Sequence, residues 1–192
     1  MSAPTAIERV GRSLKKLLEA KINGIKVTFQ SPDGNTNLPR INLFLYKIEE
    51  KQFFKNLDWQ AKAGDPTKAV PPPLSLNLFY LMTAYAPPQD DNGDLAAHEI
   101  LGRAMQIFFE NQIVEKDYLE DELKQATEQI KVMLTPIDLN EMGHLWSTFS
   151  SQPFRLSVVY EVSVIQIDLL VERQIAEQTK QVDVQVNLKE SS

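Results

Sequence analysis

Hydrophobic positions are patterned most clearly between residues 74 and 108. A nearly continuous apolar run over residues 74–85 follows three prolines and predicts a buried strand. After the polar loop APPQDDNGD, with Asp94 at the expected N-cap, apolar residues return at helical spacing. The residues predicted to share the buried face of this helix are Ala97, Ile100, Leu101, Ala104 and Phe108. We therefore expect a strand followed by a helix that packs back on it.

The N-terminal part of the sequence predicts an amphipathic helix and two strands. Thr5 and Glu8 have the spacing of a capping box at the start of this helix. Its apolar stripe consists of Ile7, Val10, Leu14, Leu17 and Leu18. Residues 25–30 then predict a short strand, and the dense apolar run 41–48 predicts a strand that is buried on both faces or central in a sheet.

Three large aromatic residues follow in a polar context, namely Phe53, Phe54 and Trp59. They either fold back onto the core, which is the commoner use of such side chains, or form an exposed patch that binds a partner. The second alternative is kept as an interface hypothesis. The next stretch, QAKAGDPTKAVPPP, predicts a loop that ends in a short polyproline segment.

Short elements are predicted after the central strand and helix. A charged stretch has helical character over residues 118–128, and residues 130–134 predict a short strand. Asp138 and Glu141 have the spacing of a second capping box. The helix that follows is expected to bury Leu139, Met142 and Trp146.

The longest strand signal covers residues 154–170, where β-branched and aromatic residues dominate. Apolar positions alternate up to Val164 and then change parity, which predicts a bulge near that residue. The sequence after residue 171 is mostly polar, but four apolar residues alternate strictly within it: Val182, Val184, Val186 and Leu188. A lone strand with one apolar face needs a partner. We expect it to add to a neighbouring copy of the chain or to the terminal subunit of a partner protein; the alternative is that it folds back on its own sheet or stays disordered.

Composition excludes several classes of function. The chain carries 26 acidic and 20 basic residues, a net charge of −6, and this balance argues against a nucleic-acid partner. The basic residues Arg12, Lys15 and Lys16 are interpreted as the solvated face of the first helix. The sequence contains no cysteine, no secretory h-region and no apolar run long enough to cross a bilayer. We therefore expect no membrane insertion and a soluble protein that is made in the cytoplasm.

Motifs for catalysis, cofactors or metals are absent from the sequence. Neither His98 nor His144 has a zinc-binding spacing, and the glycine motifs that hold phosphates or build a nucleophile elbow do not occur. The acidic turn that starts at Asp33 lacks the glycine and the glutamate of a calcium loop. The sequence therefore predicts a protein that is not an enzyme and has no catalytic, cofactor-binding or metal site.

Four segments carry a family resemblance, in this order: INLFLYKIEEKQFFKN, PPPLSLNLFYLMTAY, HEILGRAMQIFF and LWSTFSSQPFRLSVVYEVSV. Together they resemble the N-terminal domain family of the cap proteins, or tail terminators, of phage-tail-like contractile injection systems. Four blocks in the family's order are far harder to match by chance than one short motif. The resemblance covers roughly residues 40–170.

The resemblance implies an α+β fold like that of other tail terminators. We expect a single domain over residues 1–171, with packed helices on a mixed or antiparallel sheet and a long C-terminal strand, and a tail over residues 172–192. It also implies a homo-oligomeric ring, a hexamer, that binds the sheath and inner-tube proteins and ends their growth. The alternative function is a non-enzymatic adaptor that links the particle to another cellular component. Whether the particle is released or kept in the cell stays open.

Overall fold

A computed structural model describes residues 5–33, 38–51, 58–87, 94–124, 129–149, 152–167 and 171–174. In chain order the elements are α1 (Ala6–Lys21), β1 (Lys26–Thr28), β2 (Arg40–Glu50), β3 (Gln60–Lys62), β4 (Asp65–Val70), β5 (Leu74–Tyr85), α2 (Leu95–Glu110), α3 (Asp121–Lys124), β6 (Lys131–Thr135), α4 (Leu139–Ser147), β7 (Ser157–Ile167) and β8 (Arg173–Gln174). The mixture of helices and a largely antiparallel sheet confirms the expected α+β class.

Five strands form the central sheet, in the order β1-β2-β5-β7-β6. β1 runs parallel to β2, and all other neighbours in this sheet are antiparallel. β3, β4 and β8 form a second, smaller antiparallel sheet. β1 and β6 are therefore the two edges of the central sheet.

Successive side chains along each strand point to opposite faces of the central sheet. One face packs against α1 and α2 through a large apolar cluster that includes Leu14, Leu43, Met82 and Phe108. The opposite face packs against α4 through a smaller cluster, whose members are Phe79, Leu81, Met142, Trp146, Phe149 and Val159. The apolar stripes predicted for α1 and α2 thus cover one side of the sheet, and α4 covers the other.

The bulge predicted in the long C-terminal strand is confirmed. Leu78 pairs with Val162 and Leu76 pairs with Ile165, so β7 has one residue more than β5 between these two pairs. The strand is shorter than predicted, since it begins at Ser157 and residues 154–156 precede it. Residues 168–170 lie outside the described part of the chain.

The helix N-termini differ from the prediction in their side-chain caps. The Asp138 carboxylate accepts a hydrogen bond from the Glu141 backbone N–H at 2.8 Å, as predicted for α4. Thr5 and Asp94 occupy the predicted cap positions of α1 and α2, but neither side chain makes a cap bond. Their ψ angles of 0° and 10° depart from the extended conformation of Asp138, in which a cap side chain reaches the free N–H groups.

Two further sequence predictions are wrong. The stretch over residues 60–73, predicted to be a loop, contains the β3–β4 hairpin. Gly64 in its turn has a φ of +85°, which favours glycine and lets two short strands reverse direction. Leu139, predicted to be buried, has 79% of its surface exposed because it lies one turn before the part of α4 that packs on the sheet.

The segment between α2 and β6 contains less helix than predicted. Of the helix expected over residues 118–128, the structure has a 3-10 turn at Lys116–Tyr118 and the four-residue α3, while residues 125–128 lie outside the described part. β8 belongs to the predicted polar tail and pairs with β4. The domain boundary at residue 171 stays a prediction.

Candidate functional site

The outer side of β6 is partly covered by the segment that follows α2. Val132 donates its backbone N–H to the Gln112 carbonyl at 2.8 Å, and Val114 donates to the Ile130 carbonyl at 3.0 Å. Ile113 forms an antiparallel bridge opposite Lys131. These contacts cover the first half of the strand.

The second half of β6 presents its backbone outward. In an antiparallel ladder the N–H and C=O of one residue point to the same side, and the side alternates along the strand. Because the Val132 N–H points away from β7, the N–H and C=O of Leu134 do so as well. Within the residues that the structure describes, no backbone bond reaches Leu134 from this side. As far as the described residues show, the edge is therefore open to another strand at this position.

An apolar groove lies beside the open edge, between β6 and α2. Its volume is about 550 Å³. Phe108 and Tyr160 meet edge to face on its inner side, with ring centroids 4.9 Å apart. Phe109, the next residue of α2, points outward and is 75% exposed, and Leu134 is 53% exposed. Leucine and phenylalanine side chains left in water at a strand edge are typical of a surface that binds a partner.

A second apolar groove, of about 360 Å³, lies on the opposite face of β6, beside α4. Leu134 borders this groove too, together with Leu139, Phe154 and Leu156, which are all exposed. Phe154 contacts the buried Trp146, with ring centroids 5.7 Å apart. We use the name β6 edge surface for the exposed apolar side chains around both grooves, namely Phe109, Ile113, Met133, Leu134, Leu139, Phe154 and Leu156.

The chemistry of the β6 edge surface is apolar contact and backbone hydrogen bonding. Lys131 is the charged residue of the strand itself, and it is exposed. Burial raises the pKa of the Tyr160 hydroxyl to about 12, so this side chain stays neutral beneath the groove. Such a surface suits a strand with one apolar face.

The other edge of the central sheet is closed. The outward backbone N–H of Val27 in β1 donates to the Glu19 carboxylate of α1 at 2.9 Å. Thr28 donates its hydroxyl to Asn42 of β2 at 2.8 Å. Both bonds satisfy polar groups at this edge from within the chain, so β1 offers little to a partner strand.

Among the interface residues predicted from sequence, the structure describes Trp59. It is half-buried, and the guanidinium of Arg173 lies 4.1 Å from its ring centroid. Glu172 forms ion pairs with Lys62 and Lys68, so the small sheet is held to the first residues of the tail. The other predicted interface residues, Phe53, Phe54, Val182, Val184, Val186 and Leu188, lie outside the described residues. Their interface roles stay predictions.

Sequence analysis missed the β6 edge surface. The strand itself was predicted, but its place at the edge depends on the strand order, which the sequence pattern does not reveal. One signal was available: Phe109 follows Phe108 on a helix whose apolar stripe has room for one of them. The second aromatic residue must therefore point away from the core.

Metal-binding groups are not assembled in the described part of the chain. His98 and His144 are both exposed, and no set of three or more His, Asp or Glu side chains there could hold a metal ion. None of the described helices combines the length and apolar character needed to span a membrane.

Two cryo-EM structures share the fold of this chain. The sheath/tube terminator of an extracellular contractile injection system, PVC, in the extended state has a TM-score of 0.67 and 20% identity, and the match covers 100% of this chain and 66% of that one. The tube terminating cap of the anti-feeding prophage, AFP, has a TM-score of 0.61 and 21% identity, and the match covers 94% of this chain and 60% of that one. The chain thus spans just under two thirds of the length of these proteins.

Sequence comparison identifies the family. No curated protein matches the chain significantly. The Pvc16 N-terminal domain family matches over residues 9–180, which confirms the resemblance carried by the four sequence segments. Because this match covers most of the sequence, the chain belongs to the Pvc16 N-terminal domain family.

Proposed function

We propose that this protein is a structural cap subunit that forms a ring and ends the tube and sheath of a contractile injection system. The observation that carries the proposal is the β6 edge surface, an open strand edge between two apolar grooves. It lies on a fold shared with a sheath/tube terminator and a tube terminating cap. The protein acts by shape and makes or breaks no bond in a substrate.

A terminator needs two kinds of contact. Each subunit must bind its neighbours through a head-to-tail interface, because such an interface closes into a ring when the rotation is right. The ring must also bind the last layer of tube and sheath and present no site for a further layer. Exposed strand edges serve these contacts well, since backbone hydrogen bonds can extend a sheet across chains. We propose a homo-hexamer with tube and sheath proteins as partners.

The cellular location and the class of partner follow from the same proposal. The ring is synthesised and assembled in the bacterial cytoplasm, where tube and sheath polymerise. The acidic balance of the chain, a net charge of −6, favours protein partners over nucleic acid. Membrane insertion is not required for a cap of this kind.

The test is the length of the particles. Tube and sheath proteins are produced with the full chain, without it, and with a Leu134→Lys variant, and the particles are measured by negative-stain electron microscopy. We expect a narrow length distribution with the full chain and irregular lengths in the other two samples.

Equal length distributions in all three samples would overturn the terminator proposal. If light scattering also gave a stable monomer, the adaptor function would take its place. A Leu38→Lys variant serves as the matched control, because Leu38 is an exposed leucine, 68% accessible, that does not line either groove of the β6 edge surface. This control should preserve the narrow distribution.

A further inference from the structure

The open half of β6 fits a strand with one apolar face. We infer that residues 182–188 of a second copy of this chain form that strand, so that each subunit inserts its tail beside β6 of its neighbour. The inference rests on the proposed ring and specifies the contact that builds it. It brings together one surface seen in the structure and one pattern seen in the sequence.

The direction of the chain at its last described residues favours a second copy. β8 is antiparallel to β4, with Ala69 opposite Arg173 and Lys68 opposite Gln174. β4 leads through three prolines into β5 of the central sheet. The chain therefore runs along β4 away from β5 when it passes Gln174. A tail that continues in this direction moves away from its own β6.

The length of the remaining sequence suits an exchanged strand. Residues 175–181 connect β8 to the alternating segment. Seven residues span at most about 25 Å when they are fully extended, a distance that reaches a neighbouring subunit in contact with the small sheet. The ion pairs of Glu172 with Lys62 and Lys68 fix the point from which the tail departs.

The chemistry of the two surfaces is complementary. Val182, Val184, Val186 and Leu188 would share one side of the added strand, and the groove between β6 and α2 supplies the apolar surface for them. The outward N–H and C=O of Leu134 would bond the backbone of the added strand.

Disulfide trapping tests this arrangement, because the natural chain contains no cysteine. Leu134→Cys is placed in one full-length chain, and Val182→Cys, Val184→Cys or Val186→Cys in a second full-length chain with a larger tag. Residues that face each other in a hydrogen-bonded antiparallel pair have Cα atoms about 5.5 Å apart, which a disulfide can bridge. The mixed chains are oxidised with glutathione disulfide, which is reduced to two glutathione thiols for each protein disulfide formed, and are resolved by non-reducing electrophoresis.

We expect a disulfide-linked pair of unequal chains with at least one valine position, formed at least fivefold faster than with Asp183→Cys or Gln185→Cys, whose side chains face the other way. Replacing Leu134→Cys by Leu38→Cys should reduce the yield by a similar factor, because Leu38 lies away from β6. These controls change the position of the thiol and leave the apolar alternation of the tail intact.

Three results would overturn the inference. The first is no linkage between chains at any valine position, and the second is equal linkage at all tail positions. The third is an internal disulfide in a diluted chain that carries both Leu134→Cys and Val184→Cys, because this outcome places the tail on its own sheet.

The particle-length experiment is separate from the trapping experiment. Normal termination without trapped pairs would overturn the tail exchange and leave the cap function in place. Trapped pairs without length control would support the tail exchange and overturn the cap function. The two proposals can therefore fail independently.

Discussion

The two edges of the central sheet are built in opposite ways. β1 is three residues long, and Glu19 of α1 accepts a hydrogen bond from its outward backbone N–H at Val27. β6 has its first half covered by the segment after α2, while Leu134 presents its backbone to the outside between two apolar grooves. One edge is satisfied from within the chain, and the other presents the backbone groups that the proposed tail exchange would use.

This difference indicates which edge of the sheet is expected to bind another chain. Open strand edges promote uncontrolled association, so soluble proteins usually shorten them, charge them or cover them. The β1 edge is short, carries a charge and is covered. The second half of β6 shows none of these three protections in the described residues. For a protein that closes a ring, one open edge per subunit is sufficient.

The largest effect is expected from a charge at the open edge. Leu134→Lys places an ammonium group between the two apolar grooves, where an added strand would have to bury it without a partner. We expect self-association to weaken at least 100-fold, about 2.8 kcal/mol at 1.4 kcal/mol per tenfold change. Sedimentation velocity over a concentration series measures the shift from ring to monomer.

The control is the same leucine-to-lysine substitution at a position away from β6. Leu38→Lys changes an exposed leucine outside both grooves and should leave the ring intact. If both variants associate as the unchanged chain does, β6 is not the ring contact and the contrast between the edges has no role in assembly. Circular dichroism of each variant checks that the fold is retained.

Much of the fold could be predicted from the sequence, because its signals are local. The apolar run 74–85 became β5, the stripe from Ala97 to Phe108 became the buried face of α2, and the parity change near Val164 became the bulge in β7. Each of these follows from spacing within a single segment. The β3–β4 hairpin was missed because its strands are short and polar, and the signal was a single glycine, Gly64.

The candidate site could not be predicted in the same way, since it depends on which strands become neighbours. Nothing in the spacing around Leu134 indicates that β7 lies on one side of β6 and no full strand on the other. The prediction for Leu139 was wrong for a related reason, because helical spacing does not tell where the sheet ends beneath α4. An edge is a property of the strand order.

A smaller effect is expected at high pH, from two buried tyrosines that lie opposite each other on β5 and β7. Tyr160 lies under the groove of β6, and Tyr80 lines a groove between α1 and β2. Burial raises the pKa of Tyr160 to about 12 and that of Tyr80 further, above the value of about 10 in the unfolded chain. The stabilisation is therefore fully present below pH 10 and is lost as pH rises from 10 towards 12.

Urea unfolding at pH 8 and pH 11.5 tests this. Tyr160→Phe has no phenol to ionise, so it should lose about 1–2 kcal/mol less free energy of unfolding than the unchanged chain over this interval. An identical loss in the two proteins would contradict the assigned burial of the Tyr160 hydroxyl.

Substitutions at the β1 edge should change the free energy of unfolding and leave self-association unchanged. Glu19→Ala removes the acceptor for the Val27 N–H, a backbone group of a buried residue, and should lower the free energy of unfolding by about 1 kcal/mol. Glu19→Gln keeps a carbonyl acceptor and should cost less than half of that. Chemical denaturation measures both values, and an equal loss in the two variants would show that the side-chain acceptor is not what stabilises β1.

The smallest effect is expected from the lysines of the two edge strands. Lys131 of β6 and Lys26 of β1 are both exposed, and lysine on an edge strand disfavours pairing with another chain. Lys131→Thr keeps strand propensity and removes the charge next to the open edge, so self-association should strengthen two- to threefold, about 0.5 kcal/mol. Lys26→Thr makes the same change at the closed edge and should leave association unchanged, because no neighbour docks there. Equilibrium sedimentation resolves a change of this size, and equal strengthening by both substitutions would mean that net charge, and not the position of the open edge, controls assembly.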